Sequence, residues 1–273
     1  MDYQTFKPHS DLASLIKCYW TLEVPAEANA QKQRILPDGC IEMIFILGDD
    51  VKRYTTADQY ILQPRAMILG QISKPYFIEP TGYVNSFAVR FYPYGFANFT
   101  AIPIKNFTDK ETSILALFGE KISNELEQHI VNAENTEQRI EEIEKFLFDK
   151  ITEESVVDGI VKSTIEAMLS TKGSASIHQI LKDNPSKRRQ LERNFSKQVG
   201  LSPKQLGKAI RLQAVLKMMA DKKTESLADV AYESQYFDQS HFTNDFKELA
   251  GISPKDFYQD GGLALSSILY SRE

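Results

Sequence analysis

Cysteine is scarce in this sequence, and long apolar runs are absent. The 273 residues include two cysteines, Cys18 and Cys40, and neither belongs to a Cys-x-x-Cys pair. Two cysteines are too few for a disulfide framework, so two buried thiols are the simpler interpretation. No run of eighteen apolar residues occurs, and the N-terminus lacks the charged start, apolar middle and cleavage site of a signal peptide. We therefore expect a cytoplasmic protein without a membrane segment.

The patterns that mark common enzymes are also missing. The four histidines lie in four separate segments, and none has a second histidine three to five residues away. No P-loop, G-x-G-x-x-G or G-x-S-x-G pattern occurs. Asp38 and Glu42 are a candidate carboxylate pair, but Asp38 in "PDG" is more simply a turn residue and Glu42 a strand residue. The sequence predicts no enzyme, no catalytic residue, no metal site and no cofactor.

The formal charge of -5 conceals an uneven distribution of charged residues. Residues 1–172 carry a net charge of -8, whereas residues 173–273 carry +3. Within the second part, residues 182–223 hold 12 basic and 3 acidic side chains. A charge run usually marks a solvated face, but such a bias in an acidic protein is also typical of a site for a polyanion. Charge alone leaves both interpretations open.

Residues 1–107 predict a β-rich domain, because short β-branched and aromatic runs recur between turn signals. In residues 41–47 apolar side chains occupy both faces of the predicted strand. This indicates a strand that is covered on both sides, as in a small barrel or sandwich. A short helix should follow the last strand within residues 92–102. The predicted strands are residues 18–24, 32–36, 40–47, 66–72, 76–80 and 83–92.

Residues 108–172 predict a helical connector. Apolar residues recur at helical spacing on either side of Gly119, which is expected to interrupt the helix. A second apolar stripe runs from Ile140 to Ile151 with acidic residues opposite, and residues 155–170 predict a third helix. The stripe is typical of a packing surface. The sequence leaves open whether it packs within the chain or against a second copy.

A short segment of the sequence occurs twice: "FSKQVGLSPKQ" at residues 195–205 and "FKELAGISPKD" at residues 246–256. In each copy Phe anchors a helix, Gly is expected to end that helix in the left-handed conformation, and Ser-Pro starts the next one. A shorter helix, with Ser176 or Ser226 as its N-cap, precedes each copy. Two helices joined by a short turn, the second with exposed polar residues, form a helix-turn-helix. The chain is therefore expected to contain two such units.

The two units and the helix between them resemble the DNA-binding domain of AraC/XylS-type transcription regulators. The resemblance rests on "LERNFSKQVGLSPKQLGKAIRLQAVLKMM" followed by "SLADVAYESQYFDQSHFTNDFKELAGISPKDF". Upstream, "ILPDGCIEMIF" and "VRFYPYGF" are similar to the β-rich sensor domain that precedes this module in one branch of the family. The resemblance implies an α+β fold. Its parts are a β-rich barrel or sandwich (cupin-like) sensor at residues 1–107, a connector with candidate dimerisation helices at 108–172, an all-α DNA-binding domain at 173–260 and a tail at 261–273.

The second helix of each unit is the expected DNA reader, because side chains opposite its buried anchors reach base edges in the major groove. The expected anchors are Leu191 and Phe195 in the first unit, and Phe242 and Phe246 in the second. The second reader has no Arg or Lys before Lys247, so we expect it to bind bases less strongly. The resemblance implies the following base-reading residues: Arg189, Gln190, Glu192, Arg193, Gln239, Ser240, Thr243 and Asn244.

Further basic residues flank the reading helices or lie near helix N-termini, where they are better placed for phosphates than for bases. Arg211, in the helix between the units, matches an arginine that is largely structural in the family. The expected phosphate contacts are Lys187, Arg188, Lys197, Lys204 and Lys255.

The expected function is sequence-specific binding of double-stranded DNA by two units that read successive major grooves, for transcription regulation. The N-terminal domain is the expected sensor, either for a small-molecule effector or for dimerisation alone. Aromatic residues such as Trp20 and Tyr92 are candidates to line a pocket, although aromatics at strand spacing more often belong to a core.

Several alternatives stay open at the level of the sequence. RNA polymerase is a further partner if the protein is an activator, and neither activation nor repression can be chosen. The protein is a monomer or a homodimer. The rival interpretation is a helical protein-interaction adaptor that has lost DNA binding, against which the basic reading face argues.

Overall fold

In the computed structural model, the described residues are 1–26, 32–151, 157–182, 185–220, 227–234, 236 and 238–259. They form two antiparallel β-sheets followed by a series of helices. This confirms the α+β class and shows a sandwich rather than a barrel, with apolar side chains of both sheets packed between them. The expected tail at residues 261–273 lies outside the described residues.

The N-terminal sandwich consists of a six-stranded and a four-stranded sheet, in which every neighbouring pair of strands is antiparallel. The six-stranded sheet has the order β1 (Asp2–Phe6), β2 (Ile16–Val24), β9 (Val84–Phe91), β4 (Ile41–Ile46), β7 (Ala66–Leu69) and β10 (Glu111–Ser113). The four-stranded sheet has the order β3 (Gln33–Ile35), β8 (Tyr76–Pro80), β5 (Val51–Tyr54) and β6 (Tyr60–Leu62).

Strand β4 is buried on both faces, as its sequence predicts. Met43 and Phe45 lie in the core that the sheet shares with the helices, whereas Ile44 and Ile46 lie between the two sheets. This sorting follows from the alternation of side chains along a strand. The central strand therefore joins two hydrophobic cores.

Four strands were not predicted, namely β1, β5, β6 and β10. They are short, and most of their side chains are exposed or half-buried, so they carry little of the apolar alternation by which strands are recognised. Pairing with neighbouring strands selects their conformation. The first sheet also extends past residue 107, where the expected domain boundary lies, because β10 pairs with β7.

The described residues of the connector form four helices: α1 (Ile114–Phe118), α2 (Glu120–Asn132), α3 (Thr136–Lys150) and α4 (Gly159–Ser170). Gly119 separates α1 from α2 with a φ of +82°, which confirms the predicted interruption. Ile143 and Leu147 of α3 are fully buried in the same core as the six-stranded sheet. The apolar stripe of α3 therefore packs within the chain.

The C-terminal part begins with α5 (Ile177–Ile180) and a turn of 3-10 helix at residues 185–187. It continues with α6 (Arg188–Val199), α7 (Pro203–Ala220), α8 (Leu227–Glu233), α9 (Gln239–Ala250) and α10 (Pro254–Gln259). The first helix-turn-helix unit comprises α5 and α6, the second comprises α8 and α9, and α7 links them.

Both units pack against the N-terminal sandwich. One core cluster runs from the six-stranded sheet through the connector helices to Leu191 and Phe195 of α6. A second cluster joins α7, α8 and α9, and Leu36 from the loop after β3 is fully buried in it. The N-terminal sandwich is thus in apolar contact with each unit.

Candidate nucleic-acid interface

Local capping signals produce the first reading helix and its junction with α7. Leu191 and Phe195 of α6 are fully buried, which confirms them as anchors. Gly200 ends α6 with a φ of +89°, and Ser202 then accepts a hydrogen bond from the backbone N–H of Gln205 at 3.2 Å. Pro203 is the first residue of α7, as predicted.

Helix α6 begins without a side-chain cap. It is preceded by the 3-10 turn, and Lys187 occupies the cap position without a side-chain hydrogen bond. In contrast, Ser176 caps α5 as expected, in a reciprocal capping box with Gln179. Ser226, the corresponding prediction for the second unit, lies outside the described residues.

The second reading helix repeats this arrangement with one capping residue that sequence reasoning missed. Phe242 and Phe246 are buried anchors, and Gly251 ends α9 with a φ of +78°. At the start of α9, the carboxylate of Asp238 accepts a hydrogen bond from the backbone N–H of His241 at 2.7 Å. The signal was present in the sequence, because Asp directly before a helix is a common N-cap.

The predicted base-reading residues of the first unit lie exposed on α6. Arg188 pairs with Glu192 one turn later, at 3.2 Å from Nε to Oε1, so this carboxylate is already engaged by a basic neighbour. Gln190 donates a hydrogen bond to Asp158 at 3.3 Å. Arg189 and Arg193 present guanidinium groups on the exposed surface of the same helix. These two arginines are therefore the strongest candidates for guanine contacts.

Asp158, the N-cap of α4, holds one side of α6 through hydrogen bonds. Its carboxylate accepts a hydrogen bond from Asn194 at 2.7 Å, in addition to the bond from Gln190. The hydrogen bond from the backbone N–H of Ile160 is the main cause that lowers the pKa of Asp158. The hydrogen bonds from the side-chain amides of Asn194 and Gln190 in α6 also lower it. A negative charge is thus kept beside the reading helix and holds it against the connector.

The predicted base-reading residues of the second unit lie on a far less basic helix. Gln239, Ser240 and Asn244 are exposed, and Thr243 is half-buried with its hydroxyl donated to the carbonyl of Gln239 at 2.8 Å. Helix α6 has four Arg or Lys residues against one acid, whereas α9 has Lys247 against two acids. The two reading helices therefore differ in electrostatic potential.

The predicted phosphate-binding residues are all exposed. Lys204 and Lys255 lie in the first turns of α7 and α10, each a few residues after the end of a reading helix. A helix N-terminus favours anions, so a lysine at this place adds to an existing attraction for phosphate. The remaining three are Lys187, Arg188 and Lys197, which lie at or within α6.

Arg211 of α7 faces inward and connects distant segments. Its Nη2 donates to the carbonyl of Gly173 at 2.6 Å, and its guanidinium lies over the ring of Tyr236 at 4.8 Å. Burial raises the pKa of Tyr236 to about 12. Arg211 therefore ties the linking helix to the end of the connector and to the second unit, in agreement with a structural role.

A cavity of about 680 Å³ lies between the sandwich and α7. Lys17, Arg90 and Tyr92 line it from the sandwich, and Arg211 and Lys217 line it from α7. Of the aromatic residues considered as pocket-lining candidates, Trp20 instead lies between the two sheets. Apart from Tyr92, which was a pocket-lining candidate, the sequence held no signal for this cavity, because its walls come from segments far apart in the chain.

A buried charge network lies at the wall of the cavity. Arg90 is 1% exposed and contacts Glu42 at 2.7 Å and Asp38 at 3.4 Å. The indole N–H of Trp20 donates to the same oxygen of Glu42 at 2.9 Å. The candidate carboxylate pair is thus brought together by an arginine that contacts both carboxylates. Asp38 also accepts a hydrogen bond from the backbone N–H of Cys40, as expected of a turn residue.

Three polar contacts fasten the DNA-binding part to the sandwich and the segment that follows it. Arg34 of β3 donates to the carbonyl of Ala250 at the end of α9, at 2.6 Å. Gln213 of α7 donates to the carbonyl of Pro37 at 2.7 Å. The hydroxyl of Thr108 donates to the carbonyl of Gly200 at the end of α6, at 2.7 Å. These contacts link the end of each reading helix, and α7, to the N-terminal part of the chain.

Among the described residues, no group of three His, Cys, Asp or Glu side chains could hold a metal ion. In the same residues, no helix combines the length and the apolarity needed to cross a bilayer.

Comparison with known families accounts for both ends of the chain. A family model described as a helix-turn-helix domain matches residues 186–260, and one described as a domain of unknown function (DUF6597) matches residues 4–113. No curated protein matches the chain. The C-terminal part of the chain, with its two units and their exposed reading helices, is therefore similar to this helix-turn-helix family.

The solved structures that match this chain are remote from it in sequence. ToxT from Vibrio cholerae has 12% identity and a TM-score of 0.49, and the match covers 95% of this chain and 98% of that chain. Unsaturated fatty acid-bound wild-type ToxT from Vibrio cholerae strain SCE256 has 13% identity and a TM-score of 0.42, with 94% of each chain covered. An HTH_3 family regulator from Vibrio cholerae has 17% identity and a TM-score of 0.24, over 33% of this chain and 50% of that chain. Values this low transfer neither a ligand nor a function to this chain.

Proposed function

We propose that the protein regulates transcription by reading two successive major grooves, with α6 as the dominant reader and α9 as the weaker one. The observation that carries this proposal is the contrast between the exposed arginines of α6 and the nearly neutral face of α9. Arg189 and Arg193 contact base edges, and a bidentate Arg–guanine pair contributes about 1–3 kcal/mol of discrimination. Gln190, Glu192 and the residues of α9 adjust specificity around them.

The test begins with duplexes selected from a random DNA library by the full-length protein. Arg193→Ala should weaken binding to the selected site by about 1–3 kcal/mol and relax the preference for one base pair. Asn244→Ala, at the matching place on α9, should have a smaller effect. Fluorescence anisotropy with selected and single-base-changed duplexes measures both. Equal effects of the two substitutions would remove the ranking of the two helices.

We further propose that a small-molecule effector binds in the cavity between the sandwich and α7. Its lining includes five basic side chains and two acidic ones, so an effector with an anionic group is favoured. Because Arg211 lines this cavity and also contacts Tyr236 of the second unit, a bound effector would act on the linking helix directly. Dimerisation without an effector is the alternative role of the N-terminal part.

Genome-wide binding of the tagged protein, with and without candidate metabolites, tests regulation and effector together. Enrichment of specific DNA that changes with an anionic metabolite supports both proposals, and Lys217→Met should weaken that response. Retrieval of the protein without any DNA enrichment would instead favour the helical adaptor. If the protein proves to be an activator, RNA polymerase is its further partner. Action on chromosomal DNA is compatible with the cytoplasmic location that the sequence predicts.

A further inference from the structure

A buried carboxylate connects the second reading helix to the linking helix. Asp245 of α9 is 5% exposed, and its Oδ1 lies 2.8 Å from Nζ of Lys208 in α7. The same ammonium contacts the exposed Glu248 at 2.8 Å, and His241 lies 3.4 Å from the other oxygen of Asp245. A buried carboxylate is unfavourable unless it is paired, so Lys208 is the group that makes this position tolerable for an acid.

The internal repeat shows that this contact has a counterpart in the first unit. With the offset of 51 that relates the two reading helices, Asp245 corresponds to Asn194. Asn194 donates to Asp158, outside the unit, at 2.7 Å. In both units the residue before the second anchor, Phe195 or Phe246, therefore makes a polar contact with a helix or cap outside the unit, but the chemistry of the contact differs. One contact holds α6 against the connector, and the other holds α9 against α7.

Helix α7 is the structural element that the two units share. Leu206 and Ile210 belong to the core cluster of the first unit, whereas Leu212 and Leu216 belong to that of the second. Apolar packing is not directional, so it leaves the rotation of α9 about its own axis loosely defined. A short ion pair is directional. Here it joins α9 to α7, and α7 also sets the position of α6. Burial lowers the pKa of Lys208, but its hydrogen bonds to Asp245 and Glu248 outweigh this and raise it.

We propose that Lys208 and Asp245 are positioning residues for DNA recognition. Their ion pair sets the orientation of α9 on α7 and thereby the spacing of the two half-sites that the protein accepts. This inference rests on the proposed function. It assigns the specificity for spacing to two side chains that themselves contact no base.

The experiment uses the full-length protein and duplexes selected by it from a random library. Each selected site is also prepared with one base pair inserted between its halves, and with the second half scrambled. The variants are Asp245→Asn, Lys208→Met and the charge swap Lys208→Asp with Asp245→Lys. Glu248→Gln is the matched control, because it removes the exposed partner of Lys208 and leaves the buried pair intact.

The wild-type protein should lose about tenfold in affinity on insertion of one base pair. Asp245→Asn and Lys208→Met should bind the original and the lengthened site with similar affinity, while binding to the site with the scrambled second half stays within about twofold of wild type. Glu248→Gln should keep the wild-type preference for spacing. Restoration of this preference in the swapped variant would add direct support.

Several outcomes would overturn the inference. Single variants that keep the full preference for spacing show that packing alone positions α9. A variant that loses affinity for every duplex to the same extent, with an unchanged spacing ratio, shows a role in stability only. If the wild-type protein selects no DNA sequence from the library, the proposed function fails as well, so the two failures are distinguishable.

Discussion

At the scale of single residues, the least expected feature is the buried arginine in the cavity wall. Arg90 is 1% exposed, yet it is paired with Glu42 and Asp38. Buried charge of this kind seldom adds net stability compared with an apolar core. Removing one partner is costly, however, because the remaining charges are then buried without compensation.

Arg90→Met should therefore lower the free energy of unfolding by about 3–5 kcal/mol. The control is Arg65→Met, which removes an exposed arginine that pairs with Asp50 at 2.8 Å and should cost about 1 kcal/mol or less. Urea denaturation followed by fluorescence measures both variants, and Trp20 is a convenient probe because it is the single tryptophan. Similar losses in the two variants would contradict the importance of the buried network.

At the scale of secondary-structure elements, the ends of the reading helices were predictable in detail. Gly200 and Gly251 both adopt the left-handed conformation, and Ser202 and Ser253 cap the helices that follow. Each of these signals involves residues close together in sequence. What the sequence did not reveal is that a Cβ on Gly200 would lie 2.8 Å from the hydroxyl of Thr108.

Gly200→Ala and Gly251→Ala form a matched pair that separates these two effects. Both should lose about 1–2 kcal/mol of stability, because a side chain disfavours the left-handed conformation. Gly200→Ala should lose more, since its Cβ would displace the hydroxyl of Thr108 from the carbonyl of Gly200. At Gly251 the nearest atom is a side-chain carbon of Pro75 at 3.2 Å. Thermal unfolding of both variants provides the comparison, and equal losses would show that the contact with Thr108 contributes nothing.

At the scale of the whole molecule, an acidic protein concentrates its positive charge on the DNA-binding part. Residues 182–223 hold 12 basic and 3 acidic side chains, although the formal charge of the chain is -5. Negative charges elsewhere on the molecule repel DNA, which is itself negatively charged. The basic region therefore also orients the protein as it approaches DNA. Affinity for DNA should then depend strongly on the salt concentration.

Five proposed phosphate contacts correspond to a slope of about -4 to -5 in a plot of log K against log salt concentration. Lys204→Ala and Lys255→Ala should each reduce the slope by about one, and should weaken binding to all sequences alike. A titration by mobility shift at several salt concentrations measures this. A flat dependence for the wild-type protein would exclude the phosphate contacts proposed for the two units.

The part of the candidate site that could be predicted is the part that depends on local signals. Anchors, caps and basic side chains recur within a dozen residues, so one sequence was enough to place α6 and α9. The hydrogen bond between Asn194 and Asp158 joins residues 36 positions apart, and no pattern in the sequence pointed to it. The same holds for the short strands β5 and β6, whose conformation depends on their partners.

The sequence by itself determined that this protein has two helix-turn-helix units with unequal charge, because caps, anchors and charge are properties of neighbouring residues. Only the tertiary structure decided that the β-rich part is a sandwich, that α3 packs within the chain, and that a cavity lies between parts of the sandwich and α7. It also brought Lys208 to Asp245 and Arg90 to Glu42. These features arise from contacts between distant segments, and such contacts form only when the chain is packed into one core.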